Sequence, residues 1–344
     1  MKRVLLMRFS ALGDVAIAAP LLYAYASVHS DVHFYVCTQA AFKPIFDRCP
    51  GNVHVLPALL KTTHRGLFGL WRLSGEMHAL APDAVCDLHD VLRSRLIGFF
   101  LRLRGYSVFR IDKGRADKKR LVRKRHKVFK ALPTSLQRYQ HVLEAAGLTL
   151  PMPISSFSPL RLSVGEVDVE ALFGRKTTLW IGVAAFARHL GKRYPLERME
   201  SVLDALDAHS DYSVFLLGAG KDEKEQMQKW VERWPRLRMA GKNLHEDLTL
   251  MQHLDLLLTM DSANMHLGAM MGTRVLSIWG ATHPNAGFTA WNQRAEDQIQ
   301  VEMNCRPCSV FGNKPCFRND YACLHRIEPT YIVKRIETCL NEKK

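Results

Sequence analysis

Val4-Leu5-Leu6-Met7-Arg8-Phe9-Ser10-Ala11-Leu12-Gly13-Asp14-Val15 is an apolar run that breaks at small residues and continues into a second apolar segment. Val4 to Met7 is short and unbroken, the pattern of a strand buried on both faces of a parallel sheet. Gly13 provides for a tight turn, and Asp14 precedes Ile17, Leu21, Leu22 and Tyr25, apolar residues at helical spacing. A residue at this place lies at the carboxyl end of a strand, the edge where open α/β sheets bind their ligands. Asp14 therefore has two readings, a helix cap or a carboxylate presented to a ligand.

The same rhythm runs outward from this stretch. Residues 32–37, 53–56 and 84–88 read as further strands, with a short helix at 40–47. A longer helix from 91 to 103 carries Leu92, Leu96, Phe99, Phe100 and Leu103 at helical spacing. His89 and Asp90 fall just past the 84–88 strand, either on the ligand side of the sheet or simply as a turn and cap. Residues 135–147 read as a helix closed by Gly147, and the Pro- and Ser-rich run from Pro151 to Pro159 marks a domain boundary. Strands at 178–183, 213–217, 255–259 and 274–278 then alternate with helices at 196–208, 221–234 and 263–271. Such alternation implies parallel sheets covered by helices, here in two halves, 1–152 and 160–327, with a cleft between them. A last helix is expected within 328–344.

Asp261-Ser262-Ala263-Asn264-Met265-His266-Leu267-Gly268-Ala269 again follows a strand and opens a helix. The first N–H groups of a helix have no internal partner and the dipole adds about half a positive charge, so a diphosphate binds there readily. Ser262 is suited to cap and to donate its hydroxyl, and small Ala263 and Gly268 permit close approach. Asp261 reads as an acceptor of backbone N–H groups that fixes the turn. His266, one turn in, points back toward the ligand end or is an ordinary core histidine.

Four of the eight cysteines cluster as Cys305-x2-Cys308-x7-Cys316-x6-Cys323. The spacing suits a four-thiolate zinc site, two disulfides or four free thiols; in each case the role is structural, since a closed site leaves no open position for catalysis. The scattered Cys37, Cys49, Cys86 and Cys339 suit reduced thiols in a cytoplasmic protein.

With 48 Lys and Arg against 33 Asp and Glu the formal charge is +15, which calls for an anionic partner. Most of the excess lies between Arg102 and Lys130, expected as a mobile or weakly ordered basic surface; it is either a solvated flank with no specific role or a surface for phosphates or an anionic leaflet, where each Lys or Arg contributes roughly 1 kcal/mol. Nucleic acid is the lesser reading, because only Phe109 and Phe129 stand near for base stacking. The start of the chain reads as a strand and not a leader, since Arg8 and Asp14 interrupt any apolar core. No apolar run reaches the roughly 20 residues of a membrane span, so a soluble or peripheral protein is expected.

Arg8-Phe9-Ser10-Ala11-Leu12-Gly13-Asp14 resembles the N-terminal signature of glycosyltransferase family 9, the heptosyltransferase family, and the Asp261 turn resembles its nucleotide-binding turn. The resemblance implies a GT-B architecture of two Rossmann-like domains facing across a cleft, with 328–344 crossing back to the first domain. It implies inverting, metal-independent transfer of a heptose or similar sugar from an ADP-activated donor to an anionic lipopolysaccharide-core glycolipid. In that reading Asp14 is the general base, and Lys192, which precedes the Tyr194-Pro195 pair, lies on the donor phosphates with Asp261, Ser262, Ala263 and His266 around them. Asp222 or Glu223 would reach the ribose, although Gly220 stands where the family has its carboxylate. Ser10, Arg120, Arg123 and Lys124 would meet the acceptor, at the cytoplasmic face of the inner membrane and with no required cofactor. The alternatives are another nucleotide sugar, or a nucleotide-sugar- or polyanion-binding protein without transfer activity.

Overall fold

The computed structural model describes residues 2–160 and 168–342, and the chain divides into two units, Met1–Gly114 with Pro133–Leu160, and Arg115–Leu132 with Arg161–Lys344. The chain passes from the first unit to the second after Leu160, just past the Pro- and Ser-rich run, and much of the strongly basic segment groups with the second unit. Residues 115–132 leave the first half to pack with the second, because Leu121 and Leu132 are buried against Ala286 and Phe288.

Unit 1 runs β1 (Arg3–Met7), α1 (Leu12–Val28), β2 (His33–Thr38), β3 (Val53–Pro57), α2 (Gly66–Ala79), β4 (Ala84–Asp87), α3 (Leu92–Leu103) and β5 (Val108–Arg110). After α4 (Arg115–Leu121), which belongs to the second unit, it closes with α5 (Ser135–Ala145). Its strands are all parallel, in the order β3-β2-β1-β4-β5. Val4, Leu5, Leu6 and Met7 are fully buried, as the central strand of such a sheet must be. Helix α1 is buried around most of its circumference, from Val15 to Tyr25, so it reads as apolar all round and not as a one-sided stripe. Leu70, Leu73 and Met77 of α2 and Ile97 and Leu101 of α3 join Leu5, Met7 and Val85 in one core, each such side chain contributing about 1.5–3 kcal/mol.

Unit 2 runs α6 (Val169–Phe173), β6 (Leu179–Ala184), α7 (Leu196–Asp207), β7 (Tyr212–Leu216), α8 (Lys221–Arg233), β8 (Leu237–Met239) and α9 (Leu244–His253). It continues with β9 (Leu256–Met260), α10 (Ala263–Met270), β10 (Val275–Ile278), β11 (Gln298–Ile299), α11 (Ala322–His325) and α12 (Pro329–Asn341). Its strands are also all parallel, in the order β11-β10-β9-β6-β7-β8. Counted from the first strand of each unit, both orders follow the doubly wound 3-2-1-4-5 pattern, so strand order reverses beside β1 in unit 1 and beside β6 in unit 2.

Three departures from expectation have local causes. The terminal helix α12 is part of unit 2, where Ile332, Ile336, Cys339 and Leu340 enter the core with Met199, Val202 and Leu203 of α7; that is its place, in correction of the expected return to the first domain. The segment at 40–47 forms a 3-10 turn over Ala40–Ile45 around Pro44, which cannot donate in a longer helix. The basic segment is an ordered helix followed by an anchored loop, in place of the mobile surface expected.

Candidate active site

In unit 1, β1 and β4 pair in register from Val4↔Ala84 to Met7↔Asp87, and Arg8, Asp14, His89 and Asp90 all emerge just past their carboxyl ends, beside the reversal of strand order. The chain turns at Ser10–Ala11, and α1 begins at Leu12 with Ala11 as its N-cap; Gly13 is already helical. Asp14 is therefore not the cap. It sits in the first turn of α1, 30% exposed at its side chain, and its Oδ2 lies 2.5 Å from Arg8 Nη2. Arg8 is buried, donates through Nη1 to the Leu88 carbonyl at 2.8 Å, and lies 5.8 Å above the Tyr139 ring. Tyr139 in turn donates its hydroxyl to the Asp14 carbonyl. The carboxylate that faces solvent is thus held by a guanidinium that does not. Ser10 lies half-buried in the turn between β1 and α1.

Asp90 adopts φ +46°, a conformation that costs a non-glycine residue on the order of 1–2 kcal/mol, and holds its carboxylate 2.7 Å from Arg95 and 3.7 Å from Arg110. Lys113 donates to its carbonyl at 3.2 Å. Buried Asp87 accepts from the N–H groups of His89 and Asp90 and so builds the turn. His89 accepts from the Phe9 N–H through Nδ1, and burial first, with Arg8 and Lys113 second, pushes its imidazole down to about 3. It is neutral at physiological pH. The unfolded chain takes up this proton near the ordinary value of about 6.5, the folded chain only near 3. The His89 contribution to stability is therefore complete above pH 6.5 and declines on acidification towards pH 3, by up to about 1.4 kcal/mol per pH unit. Chemical denaturation across that range should show the loss in the native chain and a flatter profile in His89→Asn; equal slopes would remove His89 as its source.

In unit 2 the residues after β6 and β9 meet beside the other reversal. Lys192 ends a 3-10 turn, Leu190–Lys192, and its Nζ lies 2.8 Å from Asp261 Oδ2; both side chains are largely buried. Thr282 Oγ1 donates to the same oxygen at 2.8 Å. Gly312 at φ +72° clears the lysine stem, since a Cβ there would stand 2.6 Å from Lys192 Cγ. Tyr194 donates its hydroxyl to the Ile327 carbonyl at 2.7 Å and anchors the loop from behind.

Ser262 is the N-cap of α10, yet its side chain makes no capping bond; its Oγ shares a hydrogen with Thr259 Oγ1 at 3.2 Å. The first N–H groups of α10 are left without a side-chain cap, as an anion site requires. Ala263 is half-exposed and His266 buried in this helix. Gly268 serves a different purpose from the one expected, because a Cβ there would meet Leu257 Cδ2 at 2.5 Å; it lets α10 lie against β9. Glu223 accepts from the N–H groups of Ala219 and Gly220 at 3.0 and 3.1 Å and so holds the loop before α8, while Asp222 is exposed in the first turn.

The cysteine-rich stretch is tied down by two cations. Arg306, buried, donates to the carbonyls of Gly280, Trp279, Thr282 and Val301 and to Gln300, and Lys127 donates to the carbonyls of Cys305, Arg306 and Pro307 at 3.0, 2.7 and 3.0 Å. Cys305, Cys308, Cys316 and Cys323 are free thiols, and among the described residues no three His, Cys, Asp or Glu side chains converge as a metal site. Cys305 and Cys308 instead share a cavity of about 330 Å³ with Lys119, Arg123, Lys124, Lys314, Val122 and Phe317, Lys124 lying over the Phe317 ring. Arg120 lines a smaller one of about 170 Å³ and pairs with Asp117 at 3.2 Å. Arg123 and Lys124 are thus brought together, in unit 2.

The sequence assigned no separate role to Arg8, Tyr139 or Thr282, and placed Arg110 and Lys113 only within the general basic surface. Arg8 carried a signal, a cation directly after a fully apolar strand; the others depend on which strands become neighbours.

Two doubly wound units, each with charged side chains at the carboxyl edge where strand order reverses, place the chain in the GT-B class of α/β proteins. Residues 70–315 match glycosyltransferase family 9 (heptosyltransferase), and the chain belongs to that family. It is a glycosyltransferase. Lipooligosaccharide heptosyltransferase 2 of Campylobacter jejuni subsp. jejuni serotype O:6 is 23% identical, over 95% of each chain. Lipopolysaccharide heptosyltransferase 1 of Pseudomonas aeruginosa is 22% identical, over 98% of each. The fold is that of the family 9 glycosyl transferase of Veillonella parvula, with TM-score 0.77 at 20% identity over 99% of this chain and 98% of that one. It is shared by the E. coli ADP-heptose lps heptosyltransferase II, with TM-score 0.72 at 18% identity over 100% and 99%.

Proposed function

We propose that this chain transfers a heptose from an ADP-activated donor to a lipopolysaccharide-core type acceptor, with inversion and without a metal. The observation that carries the reading is Asp14, a partly exposed carboxylate fixed by Arg8 at the ligand edge of unit 1. The acceptor hydroxyl attacks the anomeric carbon, the bond to the diphosphate breaks, and Asp14 takes the hydroxyl proton. A carboxylate is a weak base, which suffices where the transition state is oxocarbenium-like and proton transfer comes late. In unit 2 the uncapped N–H groups of α10 and the Lys192 ammonium would hold the departing diphosphate and neutralise its charge, the task a divalent cation performs elsewhere. Ser10 and the basic side chains Arg110 and Lys113 are suited to an anionic acceptor, with Arg120, Arg123 and Lys124 as the further basic set. The heptosyltransferase names of the relatives and the ADP-heptose of the E. coli enzyme support the choice of sugar and nucleotide. Such chemistry belongs at the cytoplasmic face of the inner membrane.

Calorimetry with ADP, UDP, GDP and CMP tests the donor. ADP is expected to bind at least tenfold more tightly than the others, and ADP-heptose to release ADP only when a core acceptor lacking the sugar is supplied. A preference for another nucleotide, or acceptor-independent release, would overturn the reading.

A further inference from the structure

Among the described residues no helix is long and apolar enough to cross a membrane. Yet α2 and α3, packed side by side on unit 1, expose six large apolar side chains: Leu67, Phe68 and Trp71 on α2, Leu92, Phe99 and Leu103 on α3. Phe68 is 82% exposed and Leu92 73%, values that no core role explains. The inner faces of both helices are already satisfied, since Leu70, Leu73, Met77, Ile97 and Leu101 are the residues buried in the core. On α3 the exposed residues fall at positions 92, 99 and 103, one stripe along the helix, with half-buried Leu96 between them. The two helices share one patch, because the Trp71 ring stands edge-on to Phe100 at 5.1 Å and Phe100 lies 6.0 Å from Phe99.

Cations outnumber carboxylates around the stripe. At 100° per residue Arg93 and Arg104 flank it on one side, Arg95 and Arg102 on the other. The Arg104 guanidinium lies 4.2 Å from the Trp71 ring centre, covering its face, and Arg72 stands at the rim of α2. The carboxylates nearby are engaged: Asp87 is buried, Asp90 pairs with Arg95, and Glu76 pairs with His64 and Arg72. An apolar stripe with aromatic residues and cations on both borders is the form of a helix that lies in the plane of a bilayer, with its apolar face among the acyl chains and its cations at the phosphates. A second copy of this chain is a poor occupant, since a two-fold contact would set arginines against the same arginines in a chain of net charge +15.

The geometry points to α2 and α3 of unit 1 as the surface that docks this chain on an anionic phospholipid bilayer. The docking would be peripheral and would bring an enzyme whose acceptor is a glycolipid to the plane in which that acceptor lies. It does not rest on the transfer chemistry, because lipid binding is read with no donor or acceptor present.

The test is flotation of the full chain with vesicles of phosphatidylglycerol and phosphatidylethanolamine, and separately with phosphatidylcholine alone. Binding to the anionic vesicles is expected to be at least tenfold tighter. Phe68→Ser combined with Leu103→Ser should weaken that binding at least tenfold while thermal stability and ADP affinity stay at native values, and Arg93→Glu with Arg102→Glu should do the same by removing the salt-sensitive part. Absence of vesicle binding by the native chain, or binding that survives both variants, overturns the proposal. So does a dimer in sedimentation equilibrium that Phe68→Ser with Leu103→Ser dissociates, which would make the patch an interface between copies.

Discussion

Asp14→Asn is expected to lower sugar transfer by at least a thousandfold while leaving ADP affinity at the native level. The amide keeps the shape of the carboxylate and an oxygen for Arg8 Nη2, but it accepts no proton. Asp14→Ala is the less clean probe. Arg8 is largely buried, and its other partner is the Leu88 carbonyl, so removal of the carboxylate leaves a guanidinium short of its counter-charge, a loss of about 3–5 kcal/mol for a fully buried pair and less for this one, whose carboxylate is 30% exposed. Loss of transfer in Asp14→Ala therefore has meaning only beside its melting temperature, whereas Asp14→Asn should fold normally. Transfer by Asp14→Asn within tenfold of native, measured as ADP released per acceptor, would show that the group is a helix-terminal charge and not the base.

Lys192→Met should weaken donor binding by about tenfold to a hundredfold, the worth of one charge-assisted hydrogen bond to a phosphate, roughly 1.5–3 kcal/mol. It should also lower the melting temperature, since Asp261 is almost fully buried and would retain only the Thr282 hydroxyl as its side-chain donor. The two effects separate in a cycle. Asp261→Asn added to Lys192→Met should recover most of the stability, because the buried charge is gone with its partner, but none of the donor affinity. Calorimetry and thermal melting on the three variants decide the matter. Native ADP affinity in Lys192→Met would confine the lysine to a structural ion pair.

Much of unit 1 was legible in its residues. β1 follows from an unbroken apolar run, because burial on both faces of a parallel strand leaves little room for a polar residue; β2 and β3 follow from apolar runs interrupted by His33 and His54, β4 from the run that ends at Asp87, and α1 and α3 from helical spacing. The elements that escaped have weaker signals for physical reasons. β5, β8 and β11 are two or three residues long and include Arg110, Arg238 and Gln298 respectively, so no apolar run marks them. α2 combines three glycines with apolar residues on both its buried and its exposed side, which blurs its period. The exposed half of that pattern is the patch assigned above to a bilayer.

At the sites the division is sharper. Asp14 and the Asp261 turn were named from motifs that follow a strand end, a local feature of the chain, and Lys192 from the resemblance of its place before Tyr194-Pro195. Their partners are not local. Arg8 meets Leu88 and Tyr139, and Lys192 meets Asp261 and the space left by Gly312. Only the folded chain decides these contacts, because they follow from which strands lie side by side and where their order reverses. The alternation of apolar and polar residues dictates strand and helix through burial, a property of each segment taken alone. Pairing, ion-pair geometry and the capture of residues 115–132 by the second unit depend on packing between segments far apart in sequence, and the spacing of residues carries no record of it.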